Sequence, residues 1–162
     1  MPFFEFAILT TVVLNVLGIA LVHLGIAWIM LKLPVENYDV DKFPWAPWPG
    51  ERQGQIWENL FKVKSWKKML PDGAAWFSGG FSKKSLQNRD PDYLKRFLLE
   101  TCRGEHSHWL MLACAPLFSL WNPPLAFWII VGYFVIGNLP CIVVQRYNRP
   151  FLKRLLARGV SL

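Results

Sequence analysis

The sequence predicts an all-α integral membrane protein with about three transmembrane helices, the last two forming a hairpin, and with amphipathic, interfacial helices on the cytoplasmic side. Three observations predict it. Glu5 and Lys32 bracket 26 residues without a formal charge, interrupted only by His23. Trp109 to Gln145 is a second uncharged stretch, of 37 residues. The 18 Lys and Arg are segregated: 13 lie between Lys32 and Arg103, five between Arg146 and Arg158, and none before the first stretch or inside the second.

The first stretch exceeds the roughly 20 apolar residues that span a bilayer. It is not a typical secretory signal, because no Lys or Arg precedes it and the apolar run is too long. Phe3, Phe4 and Trp28 stand near its ends, where aromatic rings favour the interface. Asn122-Pro123-Pro124 divides the second stretch, since proline removes a backbone donor and turns the preceding residue away from helix. Each arm then has about 17 to 20 residues, roughly 25 to 30 Å at 1.5 Å per residue. That barely crosses, so a re-entrant hairpin is the rival to a crossing one. In both cases the positive-inside rule places the N-terminus and the Asn-Pro-Pro turn outside, and the basic middle and C-terminus in the cytoplasm.

The chain therefore divides into an N-terminal transmembrane helix (1–33), a cytoplasmic, membrane-associated basic segment (34–104), the helical hairpin (105–145) and a basic tail (146–162). The net charge of +7, beside two apolar stretches, points to anionic lipid headgroups rather than nucleic acid. Cys102, Cys114 and Cys141 are odd in number, with no disulfide or zinc framework.

Within the middle segment, Phe43-Pro-Trp-Ala-Pro-Trp-Pro-Gly50 has too many prolines for helix. Its two tryptophans suit an interfacial loop, and a loop packed on the protein's own surface fits equally. Ile56 to Leu70 reads as one amphipathic helix. Ile56, Trp57, Leu60, Phe61 and Val63 are apolar, while Lys62, Lys64, Lys67 and Lys68 suit the headgroup plane. Pro71-Asp-Gly73 reads as the turn that ends it, and Phe77 to Ser85 as a glycine-containing basic loop. Asp90-Pro-Asp92 is a helix-start signal. The helix after it runs towards the hairpin if it continues through Gly104, which costs about 1 kcal/mol against alanine. Leu94, Leu98, Thr101, Glu105, His108 and Trp109 then share one broad face.

Ionisable groups cluster where polar sequence meets apolar. Glu105 and His108, at i and i+3 on that face, are the candidate catalytic pair: a carboxylate orients an imidazole, which can then remove a proton from a hydroxyl. Glu100 and Arg103 lie around the back. Glu100, Glu105, His106 and His108 lack a third in-phase ligand, so no metal is expected. Cys102 beside Arg103 has the chemistry of a thiol nucleophile, though a buried inert cysteine is commoner. His23 and Asn15 suit structural contacts within the first span. At the far end of the hairpin, Asn138 precedes Pro140, and Gln145, Arg146, Asn148 and Arg149 form a donor-rich cluster suited to phosphate or carboxylate.

Taken together, Lys62-Val-Lys-Ser-Trp-Lys-Lys68 with Pro71-Asp-Gly-Ala74, Gly79-Gly-Phe-Ser-Lys-Lys84, Glu100-Thr-Cys-Arg-Gly-Glu105 with His108-Trp109, and Asn138-Leu-Pro-Cys141 with Gln145-Arg-Tyr-Asn-Arg149 resemble the glycosyl-4,4'-diaponeurosporenoate acyltransferases. These are small bacterial membrane proteins of staphyloxanthin-type carotenoid synthesis. The resemblance covers roughly Lys62 to Leu152. It implies transfer of a fatty acyl chain to a sugar hydroxyl of a membrane glycolipid in a bacterial cell membrane, and it brings no catalytic residue with it. On this reading the expected partners are membrane lipids and a lipid-linked acceptor, with a second copy or a membrane partner to close the substrate cavity. No cofactor is expected beyond acyl-CoA or acyl-carrier protein as acyl donor, its phosphate held by Arg103, Arg146 and Arg149. The alternatives are a non-enzymatic lipid-binding or assembly subunit and a lipid methyltransferase, the latter without a glycine-rich nucleotide fingerprint.

Overall fold

A computed structural model describes residues 2–71, 73, 78–83 and 85–159. Among them every regular element is helical. The order is α1 (Ile8–Lys32), short 3-10 turns at Val35–Asn37 and Arg52–Gly54, α2 (Gln55–Phe61), α3 (Val63–Trp66), a 3-10 turn at Lys67–Met69, α4 (Pro91–Cys114), a 3-10 segment (Ala115–Leu120) and α5 (Pro124–Gly159). Parts of the expected Pro71–Gly73 turn and of the Phe77–Ser85 loop lie outside the described residues.

α4 starts where its sequence signal stands. Asp90 accepts hydrogen bonds from the backbone N–H groups of Asp92 and Tyr93, at 3.0 and 3.2 Å, and Pro91 opens the first turn. The helix continues through Gly104. A Cβ there would stand 3.5 Å from the Gln145 amide, an ordinary contact distance, so α4 and α5 meet at this level. The hairpin forms with its turn at the Asn-Pro-Pro sequence. α5 continues to Gly159 through both Pro140 and Pro150, so residues 146–159 are the end of that helix.

Among the described residues two helices, α1 and α5, are long and apolar enough to cross a membrane, where three were expected. α4 does not qualify because Asp92, Lys95, Arg96, Glu100, Arg103 and Glu105 occupy its first fifteen residues. From Trp109 the chain makes six α-helical and six 3-10 residues to Leu120. At 1.5 and 2.0 Å per residue this is about 20 Å, short of a hydrocarbon core of about 30 Å. On α1, Met30 alone is buried, and Leu9 and Leu21 are 75% and 73% exposed. A helix that is apolar nearly all round and largely uncovered outside its contact with the hairpin matches a lipid solvent.

α4 and α5 pack together, with α1 against α4. One core lies between the three, around Met111, Ala115, Phe118, Ile130 and Phe134. Asn15 fixes α1 to the hairpin turn. Its Nδ2 donates to Asn122 Oδ1, and its Oδ1 accepts from Asn122 Nδ2 and Trp121 Nε1, all at 2.8 Å. Asn15→Leu is expected to lower stability by about 1–3 kcal/mol, because it strands acceptors and donors in a site where Asn122 is 3% exposed. Thermal unfolding in detergent micelles reads the loss.

The expected single helix from Ile56 to Leu70 is broken at Lys62, which takes φ +49° and ψ 47°. Its N–H caps the Glu58 carbonyl of α2, while Glu58 Oε2 accepts from the Lys64 N–H at the start of α3. The break turns Val63 fully inward and leaves Leu60, Phe61 and Met69 exposed. A second core, Tyr38, Val40, Leu94, Phe97, Leu98, Cys102 and Leu152, joins the loop after α1 to the polar halves of α4 and α5.

Candidate active site

Two sets of polar side chains separate on α4, four residues apart within each set. Thr101, Glu105 and Trp109 form one ridge, and Glu100, Gly104 and His108 form the other.

The first ridge enters a buried ion network. Glu105, fully buried, accepts from Arg146 Nε and Arg149 Nη2 at 2.7 Å each and from Trp109 Nε1 at 3.2 Å. Arg146 also donates to Glu51 Oε1 and to the Pro44 carbonyl, both at 2.7 Å, and its guanidinium lies 3.5 Å from the centre of the Trp48 ring. Arg149 donates to Thr101 Oγ1 at 3.1 Å and to the Trp45 carbonyl at 2.7 Å. Two carboxylates balance two guanidiniums, and every nitrogen of both arginines has a protein acceptor. The arrangement staples the proline-rich loop onto α5. This changes two expectations. Glu105 is committed to the arginines instead of His108, and Arg146 and Arg149, 1% and 3% exposed, are occupied by protein instead of standing ready for phosphate.

The second ridge faces a cavity of about 470 Å³ between α1, α4, α5 and the middle segment. Glu100, Arg103, His108, Asn138, Gln145 and Asn148 all line it. Its other walls are largely apolar, with Leu24, Ala27, Met30 and Leu31 from α1 and Tyr133, Gly137, Cys141 and Val144 from α5. His23 lines it too, its Nδ1 donating to the Ile19 carbonyl at 2.9 Å.

His108 is oriented by Asn138. Asn138 Nδ2 donates to the Phe134 carbonyl at 2.8 Å, and a carbonyl only accepts, so the amide oxygen is the atom that meets His108 Nδ1 at 2.8 Å. Nδ1 therefore carries the proton and Nε2 the lone pair. His108 stands on α4, outside both candidate spans. Burial holds it below the usual histidine pKa, and Lys83 and His23 add to this, while the bond to Asn138 opposes it. The imidazole is neutral at neutral pH and suited to accept a proton.

The remaining candidates are tied in place. Arg103 donates to Glu100 Oε1 at 2.7 Å and reaches the Leu33 carbonyl that ends α1 at 3.4 Å. Asn148 Oδ1 accepts from Lys67 Nζ at 3.0 Å, with that ammonium over the Tyr147 ring. His106 meets Tyr38 Oη at 3.0 Å and packs on Trp45, away from His108's partners. Among the described residues no group of three His, Cys, Asp or Glu forms a metal set. Cys102 is fully buried in the second core, and burial pushes its thiol pKa up, the opposite of an activated nucleophile. Sequence reasoning missed Glu51, which is one charge among many in a loop, and Lys67, whose helix turned out to be broken.

Residues 36–158 match the model of a family described as glycosyl-4,4'-diaponeurosporenoate acyltransferase. The chain belongs to this family. Proteins of that name from Staphylococcus aureus strains USA300 and COL are each 30% identical to it over 136 residues, which cover 84% of this chain and 82% of theirs. The one from strain MRSA252 is 29% identical over the same length. No solved structure matches. The family is one of acyltransferases, and the chain takes its place among these enzymes. The matched residues hold both ridges of α4 and their partners on α5, whereas α1, one apolar wall of the cavity, precedes them.

Proposed function

We propose that this chain transfers a fatty acyl group to a hydroxyl of a membrane glycolipid, with His108 as the general base. The observation that carries the reading is the His108–Asn138 pair in the wall of a cavity that is polar at one end and apolar along the rest. Nε2 takes the hydroxyl proton as the oxygen attacks the acyl carbonyl of a thioester donor. The C–S bond breaks, and the thiolate leaves with the proton. The donor is acyl-CoA or acyl-carrier protein, and the apolar walls suit hydrocarbon chains. Relatives named for a glycosylated carotenoid acid support a sugar hydroxyl on such a lipid as the acceptor. Asn138 takes the orienting role that the sequence suggested for Glu105. Arg103, Lys67 and Lys83 are the cations at the polar end of the cavity, and they suit the donor's phosphates better than Arg146 and Arg149.

The Lys and Arg distribution supports the reading of a bacterial cell-membrane protein with its N-terminus outside and its C-terminus cytoplasmic. The test is mass spectrometry of total lipids from cells carrying wild-type protein, His108→Gln or neither. Species heavier by a fatty-acyl increment are expected with wild type alone. Identical profiles, with the protein in the membrane and acceptors present, would favour a lipid-binding subunit.

A further inference from the structure

Two buried acceptors in the cavity wall have no hydrogen-bond donor among the described residues: Gln145 Oε1 and Glu100 Oε2. Gln145 is 7% exposed and Glu100 is fully buried, and both line the cavity. Glu100 Oε1 takes the Arg103 bond, while Lys83 Nζ makes an ion pair with Oε2 at 3.8 Å, beyond hydrogen-bond distance. Burying an acceptor without a donor is costly, and such groups in a native protein call for a reason.

Their placement supplies one. Glu100, Gly104 and His108 succeed one another at one-turn spacing on α4, and Gln145 lies across Gly104, its amide 3.5 Å from where a Cβ would stand. Asn138 and Gln145 are two turns apart on the same side of α5. The unpaired acceptors therefore stand one to two turns from His108, about 6 to 12 Å along the helix axis. A ligand filling that end presents its donors to Gln145 and Glu100 while another of its atoms meets His108. Acceptors call for hydroxyl groups, which donate.

We propose that Gln145, with Glu100 beside it, is the specificity-determining element that reads the free hydroxyls of a sugar headgroup next to His108. The inference rests on the acyl-transfer reading only for the identity of the ligand as acceptor, and binding tests it separately from turnover. Gln145 is a positioning residue: it holds the ring, and His108 acts on one hydroxyl.

The experiment is native mass spectrometry of the whole protein in octyl tetraethylene glycol ether micelles. The probes are decyl β-D-glucopyranoside and its per-O-methyl ether, which has the same ring without donors. Wild type is expected to bind the free glucoside at least about tenfold more tightly than the methyl ether, the worth of one or two hydrogen bonds. Gln145→Leu is expected to remove most of that preference and to leave the methyl ether's affinity unchanged. Gln145→Glu, which keeps an acceptor, is expected to retain the preference. No preference in wild type, or an undiminished preference in Gln145→Leu, overturns the proposal. Should Gln145→Leu fail to fold, the wild-type comparison and Gln145→Glu still decide. Selective binding without acyl transfer would leave this inference standing and remove the reaction.

Discussion

Arg146→Met is expected to cost about 3–5 kcal/mol of stability, which is what breaking a buried ion pair by removing one partner costs. The substitution deletes three donors and a positive charge. It leaves Glu51 at 5% exposure without its cation, the fully buried Glu105 with one guanidinium in place of two, and the Pro44 carbonyl without its donor. It also removes the plane on which Trp48 rests. Glu105→Gln is expected to fall in the same range, because two buried guanidiniums would then face one carboxylate. The measurement is thermal or denaturant unfolding in micelles, with wild type and both variants at equal detergent. A lowering of the apparent Tm by roughly 10 °C is expected. The two losses should be far from additive, since both act on one bond. If Glu105→Gln unfolded like wild type and lost turnover alone, Glu105 would be a catalytic carboxylate after all and the network a minor contributor.

That distinction bears on how much of the site was legible in the sequence. Charge segregation and two uncharged stretches were enough for an all-helical chain with a hairpin, and the Asp90-Pro-Asp92 cap was enough for the start of α4. The 3.6-residue period also brought Glu105 and His108 to one broad face. It did not show that this face divides between two partners. Thr101, Glu105 and Trp109 turn to the arginines of α5, while Glu100, Gly104 and His108 turn to the cavity. Which acid serves which base depends on contacts made from 30 to 95 positions away, such as Asn138 with His108 and Glu51 with Arg146. No local spacing encodes those contacts.

The donor-rich cluster shows the same limit from the other side. Arginine forks flanked by Gln and Asn read as a ligand grip because their chemistry suits phosphate. The same chemistry suits backbone carbonyls and carboxylates, and here the loop at residues 43–51 supplies them. The first arm is shorter than the expected 17 to 20 residues because the Asn-Pro-Pro break is not central: only 12 helical residues run from Trp109 to Leu120, and the rest of the uncharged stretch belongs to α5. The broken amphipathic helix was hidden because lysine has no local signal for the left-handed conformation that Lys62 adopts.

The pH dependence of transfer is expected to identify His108 as the base and Asn138 as its partner. His108 titrates below the ordinary value of 6.5, burial being the largest cause, so the acidic limb of the rate should lie below pH 6.5. His108→Gln is expected to lose about 10²–10⁴-fold, the usual worth of a general base. Asn138→Ala should lose part of that, roughly 10–100-fold, because Nδ1 loses the acceptor that fixes its tautomer. It should also shift the limb further down, since the Asn138 contact is the one that raises the pKa. Asn138→Asp places a carboxylate at Nδ1 and should shift the limb up. Stability moves in the same direction and must be kept apart. A histidine whose folded pKa is depressed contributes stability that is present above the unfolded value and is lost as pH falls from about 6.5 through the folded pKa. Rates are therefore taken after brief exposure to acid, and recovery on return to pH 7.5 shows that the protein stayed folded. A limb that stays put in both Asn138 variants would take His108 out of the reaction and leave the cavity as a binding site.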